Sequence, residues 1–115
     1  MADSTGIRTD VRKSNITCGN IGEAIADMGG VKALLTIAAE EDDFDYDKFF
    51  TMFAKNYTEV MTPEFAYYNL TQDPHPCAFL RTNVTLQQFD IFYETYGIKE
   101  SDNMYLAPEN RIAVW

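Results

Sequence analysis

Tyr46, Phe49, Phe50, Phe53, Tyr57 and Val60 recur at i, i+3, i+4, i+7, i+11 and i+14, the spacing of one face of an α-helix. A stripe this aromatic is core in most folded chains, and it dictates a helix that must be covered by other helices. A second stripe supports it. Phe89, Phe92, Tyr93 and Tyr96 repeat at i, i+3, i+4 and i+7, behind a Thr85-Leu86-Gln87-Gln88 capping box and ahead of Gly97 as a stop. A third helix is expected from Ile21 to about Glu40, where Ile25, Met28, Leu35 and Ala39 share a face. Inside it, Gly29-Gly30 would weaken an isolated helix by about 1 kcal/mol each relative to Ala. Such a pair suggests close approach of another backbone. Thr62-Pro63-Glu64 starts a fourth helix, with Thr62 as N-cap and Pro63 in the first turn, running to about Leu70 or Thr71.

These elements describe a mainly α chain of about four helices. Residues 1–20, polar and without a steady period, read as an arm or loop, and residues 21–115 as the helical part. The tail from Ile98, with Met104, Tyr105, Ile112 and Trp115, is too apolar to hang free and is expected to fold back as irregular structure or a short turn. A chain of 115 residues is one domain at most, and 46% hydrophobic residues support a packed core.

Charge removes several classes of function. Nine basic against eighteen acidic residues leave a net charge of −9 and repel phosphate backbones, so no nucleic acid is expected. The same sign disfavours anionic membrane surfaces, and no apolar run approaches the ~20 residues needed to cross a bilayer. The opening Met1-Ala2-Asp3-Ser4-Thr5-Gly6 lacks the basic and apolar regions of a signal peptide, so the expected location is cytoplasmic. On that basis the Asn-x-Thr sequons at Asn15, Asn56, Asn69 and Asn83 read as chance. Cys18 and Cys77 are too few for a disulfide framework and lack the Cys-x-x-Cys spacing of a zinc ribbon.

Three stretches carry candidate chemistry. Asp43, Asp45 and Asp47 mimic the opening of a calcium-binding loop. Lys48 stands where the turn needs Gly, and Ala54 where the bidentate Glu belongs, so they read as acids feeding a helix N-terminus. Glu23 and Asp27 stand four residues apart and would point from one helical face at the same neighbour. They fit a metal ligand with its hydrogen-bonding brace, or two acids placed at a helix start by the macrodipole. The third stretch is Asp73-Pro74-His75-Pro76-Cys77-Ala78-Phe79-Leu80-Arg81, read as a loop stiffened by its prolines. Its His75, the only histidine, and Arg81 could stabilise an oxyanion and grip a peptide carbonyl in one cleft. Taken bare, they equally fit an exposed histidine and a surface ion pair.

Gly22-Glu23-Ala24-Ile25-Ala26-Asp27-Met28-Gly29-Gly30 resembles the G-E-N-I-A-D-x-G-G segment of the neprilysin-like zinc metallopeptidases, with Ala24 in place of Asn. Asp73, His75 and Arg81 are similar to that family's D-x-H-S-P-x-x-x-R, although Pro76-Cys77 replaces Ser-Pro. Met104-Tyr105-Leu106-Ala107-Pro108-Glu109-Asn110-Arg111 and the closing Val114-Trp115 are similar to its C-terminal ending. The resemblance covers residues 15–115 and implies part of a zincin-type catalytic domain that hydrolyses peptide bonds with a zinc-activated water. It further implies Glu23 as third zinc ligand, Asp27 as the brace of a zinc-binding histidine, His75 as oxyanion stabiliser and Arg81 as substrate dock. The family's other ligands and its general base lie in an H-E-x-x-H helix, which a chain with one histidine does not contain. The expectation is therefore the C-terminal portion of a metalloendopeptidase, inert alone. Zinc and peptide substrates belong to the complete enzyme, and no metal is held by the isolated chain. Loss of the partner helix would bare an apolar strip among Ile21, Ile25, Met28 and Val31, so self-association is expected. The alternative is a non-catalytic acidic helical interaction protein derived from the peptidase.

Overall fold

The structure, a computed structural model, describes residues 21–72, 75 and 77–113. The arm expected over residues 1–20, Cys18, the residues Asp73, Pro74 and Pro76, and Val114-Trp115 lie outside them. The described residues form five α-helices: α1 (Ile21–Ala38), α2 (Tyr46–Lys55), α3 (Pro63–Gln72), α4 (Ala78–Leu86) and α5 (Asp90–Tyr96), followed by a 3₁₀ turn at Pro108–Asn110. No strand occurs among them. Helix α1 packs against α4 and α2 against α5. Val31, Leu35, Phe50, Leu86, Phe92 and Tyr93 form the buried core, flanked by Tyr46, Phe49, Phe53, Phe89, Ile98, Met104 and Tyr105. The tail folds back as expected. Gln87 Nε2 donates to Met104 O at 3.0 Å, and Arg111 lies 3.9 Å from the centroid of the Tyr93 ring while pairing with Asp90.

Two helix starts and one helix end have a local cause. Asp45 caps α2 by accepting from Lys48 N at 2.9 Å, the role that acids feeding a helix start should play. Thr62 caps α3 through Phe65 N at 3.2 Å. Helix α5 ends on Gly97 at φ +61, a left-handed position that suits glycine.

Several expectations are corrected. Helix α2 stops at Lys55, because its last turn tightens into i→i+3 bonds from Asn56 N to Phe53 O and from Tyr57 N to Ala54 O. Tyr57 and Val60 therefore leave the stripe, and Val60 is fully exposed. Thr85-Leu86-Gln87-Gln88 is not a capping box. Thr85 and Leu86 are the buried end of α4, an additional helix over a stretch read as loop, and Phe89 occupies the N-cap position of α5. On α1 the buried face is Met28, Val31, Leu35 and Ala38 rather than one containing Ile25 and Ala39. Gly29 is buried, but a Cβ on Gly30 would meet nothing within 4 Å, so close packing does not explain the second glycine. No helix among the described residues is long and apolar enough to cross a membrane.

Candidate functional site

Helix α1 presents Glu23 and Asp27 one turn apart, and α4 packs across that face. The crossing brings together the two candidate stretches that the sequence leaves separate. Arg81 meets Asp27 in a two-pronged pair, Nε to Oδ2 at 2.8 Å and Nη2 to Oδ1 at 2.9 Å, with side-chain exposures of 23% and 13%. One turn towards the N-terminus of α1, Glu23 Oε2 lies 3.8 Å from His75 Nε2, too long for a hydrogen bond. Glu23 and Asp27 thus contact residues of the 75–81 segment in the same order in which they follow each other on α1.

The aim of Arg81 comes from α4. Cys77 occupies the N-cap position, and its carbonyl accepts from Leu80 N at 2.9 Å and Arg81 N at 3.0 Å, which places Arg81 on the first turn. A loop would leave this side chain free to swing; a helix fixes its direction of departure. The buried residues of this helix are Thr85 and Leu86 at its end. Cys77 is disulfide-bonded, and the only other cysteine in the chain is Cys18, outside the described residues. The hydrogen bond to Asp27 is the largest influence raising the Arg81 pKa, with the attraction of the same carboxylate and of Glu23 adding to it, so the guanidinium is a permanent cation here.

His75 and Arg81 line an open cleft of about 650 Å³, walled by Tyr57, Met61, Leu70 and Phe79. Tyr57 is the residue that sequence reasoning placed elsewhere. Read as one of a core stripe, it instead sets its ring 4.7 Å from the guanidinium carbon of Arg81. Its sequence signal is weak, since only the end of α2 two residues earlier takes it off the stripe.

Among the described residues no group of three or more His, Cys, Asp and Glu could hold a metal ion. A catalytic zinc takes about three protein ligands, so the donors present are too few to form such a centre by themselves. The guanidinium and imidazole that line the cleft, each beside a carboxylate of α1, can bind an extended peptide by its carbonyls and offer charge to a developing oxyanion.

Residues 7–112 match the sequence profile of peptidase family M13. The chain belongs to that family. It is similar to the neutral endopeptidase of Lactococcus lactis subsp. lactis (strain IL1403), 43% identical over 95 residues that make up 83% of this chain and 15% of the relative. The neutral endopeptidase of Lactococcus lactis subsp. cremoris is 42% identical over the same shares. That of Lactobacillus helveticus is 33% identical over 83% of this chain and 14% of its own length. No solved structure matches. The chain thus spans about 15% of the length of the first two relatives. Peptidase family M13 is zinc-dependent, and this M13 chain has the helical make-up of part of a zincin-type catalytic domain.

Proposed function

We propose that the chain is the C-terminal portion of a zinc-dependent metalloendopeptidase, contributing one metal ligand and the substrate-facing side of the cleft. The observation that carries this reading is the pairing of Asp27 with Arg81 and the approach of Glu23 to His75 at 3.8 Å, Arg81 and His75 both lining the cleft. Glu23 would supply a single carboxylate to zinc. When bound, zinc would supply a polarised water as nucleophile. Asp27 keeps Arg81 in place through both oxygens, and a carboxylate has further acceptor sites with which to orient a zinc-binding histidine. Arg81 would donate to a substrate carbonyl on the leaving-group side. His75, beside Glu23, would stabilise the oxyanion of the attacked carbonyl.

The sequence lacks H-E-x-x-H, which leaves the isolated chain without a general base or a full ligand set. It should neither retain zinc through dialysis against a weak chelator nor hydrolyse a reporter peptide. The coding sequence upstream should contain H-E-x-x-H, and the longer product should cleave peptides. Stoichiometric zinc on the isolated chain would show that the ligand set is misassigned. An upstream sequence without H-E-x-x-H would favour a non-catalytic interaction protein. A cytoplasmic location would keep thiols reduced, so the disulfide at Cys77 weighs toward an oxidising compartment. Thiol titration of freshly isolated protein decides between the two.

A further inference from the structure

Arg81 has one edge fixed and one face covered. Asp27 takes the Nε–H and one Nη2–H, and the remaining N–H donors of the guanidinium lie on an edge that Asp27 does not use. A carboxylate gripping one edge leaves the plane free to tilt about that edge, because the long arginine stem has several soft torsions. The ring of Tyr57 closes that freedom, with its centroid 4.7 Å from the guanidinium carbon and within the ~6 Å reach of a cation–π contact.

Tyr57 is itself held. Its backbone N–H bonds Ala54 O at 3.0 Å in the turn after α2, and its ring meets the edge of Phe53 at 5.3 Å between centroids. Phe53 packs on the buried core. Contacts therefore run unbroken from the core through Phe53 and Tyr57 to Arg81, and on to Asp27 of α1.

We infer that Tyr57 is a positioning residue for Arg81, fixing the guanidinium plane so that the edge left by Asp27 serves the cleft. This deepens the peptidase reading and rests on it for what that edge binds. Side-chain NMR of the 115-residue chain tests the positioning without any activity. The Arg81 Nε–H signal should exchange slowly with water and be displaced by the ring current of Tyr57, and the two side chains should show a through-space cross-peak. Tyr57→Phe should keep these features. Tyr57→Leu should remove the ring-current displacement and speed the exchange. Unchanged Arg81 signals in Tyr57→Leu would overturn the inference. If that variant does not fold, absence of the cross-peak in the unmodified chain would overturn it equally.

In the longer, zinc-loaded protein, Tyr57→Leu should raise KM for peptides by about two- to fivefold, the size of a cation–π contact, with kcat nearly unchanged. Tyr57→Phe should restore KM. A fall confined to kcat would overturn the positioning role. A longer protein that cleaves no peptide defeats the functional reading instead, and the NMR result still decides the role of Tyr57.

Discussion

At the scale of single residues, Asp27 holds Arg81 and is proposed to brace a zinc-binding histidine as well, two duties that separate measurements can resolve. Its pair with Arg81 is largely shielded from water, and removing one partner strands the other charge. Asp27→Asn should therefore destabilise the isolated chain by about 1–3 kcal/mol in urea unfolding. The Asp27→Asn, Arg81→Met double variant should recover part of that loss, and equal stability of wild type and the single variant would dismiss the pair as structural. In the longer protein the same substitution should lower zinc affinity or activity on the order of 10–100-fold, as changes behind a metal ligand do. Glu23→Gln should cost more, because it would remove the proposed ligand itself. Undiminished zinc affinity in Glu23→Gln, read by competition with a coloured chelator, would sink the ligand assignment.

Among the elements, α5 is the shortest helix and relies on its ends. Gly97 sits at φ +61, where a Cβ is strained by the backbone rather than by neighbours, since nothing lies within 4 Å of that position. Gly97→Ala should lower stability by about 1–2 kcal/mol, the cost of a left-handed alanine, and an unaltered melting temperature would contradict this. The other end of the same argument is Tyr96, whose hydroxyl donates to Asp47 at 2.7 Å and ties α5 to α2. Burial first, and the Asp47 hydrogen bond second, raise its pKa above the ordinary 10.0. A raised pKa means that the folded state favours the protonated phenol. Its contribution is fully present below the unfolded value and is lost as pH climbs through the folded one. Melting temperatures taken from pH 9 to beyond 10.0 should thus fall more steeply in wild type than in Tyr96→Phe, and parallel curves would remove Tyr96 from the account.

At the scale of the whole molecule, α1 leaves large apolar side chains uncovered. The helix is apolar on more than one side. Met28 and Val31, expected in the exposed strip, are each 2% exposed and face the core, whereas Ile21, Leu34 and Ile37 are 73%, 52% and 62% exposed. We propose that the isolated chain self-associates through the exposed face that carries Leu34 and Ile37. Covering ~400 Å² of it would contribute on the order of 10 kcal/mol before the entropy of association is set against it. The net charge of −9 opposes pairing, and salt screens that repulsion over about 10 Å at 0.1 M. Light scattering in moderate salt should show mass rising with concentration, and Leu34→Glu with Ile37→Glu should return it to the monomer value. A wild-type monomer at high micromolar concentration would reject the proposal.

Much of this protein was determined locally, and that part was open to reading. The 3.6-residue period of Tyr46–Phe53, the caps Asp45 and Thr62 and the stop at Gly97 act through neighbours a few residues away, so sequence alone specified those helices. The candidate site was legible as two motifs, Glu23 with Asp27 and His75 with Arg81. Their meeting was decided only by the tertiary structure, because a contact between residues 54 apart depends on where α4 crosses α1. The prolines around His75 predict a loop and give no sign of α4, whose Leu86 is buried only once α1 is beside it. Tyr57 leaves the core stripe for a different reason. One turn of α2 more or less separates a core aromatic from one lying over a guanidinium, and backbone bonding at Asn56 and Tyr57, which no periodicity encodes, made that choice.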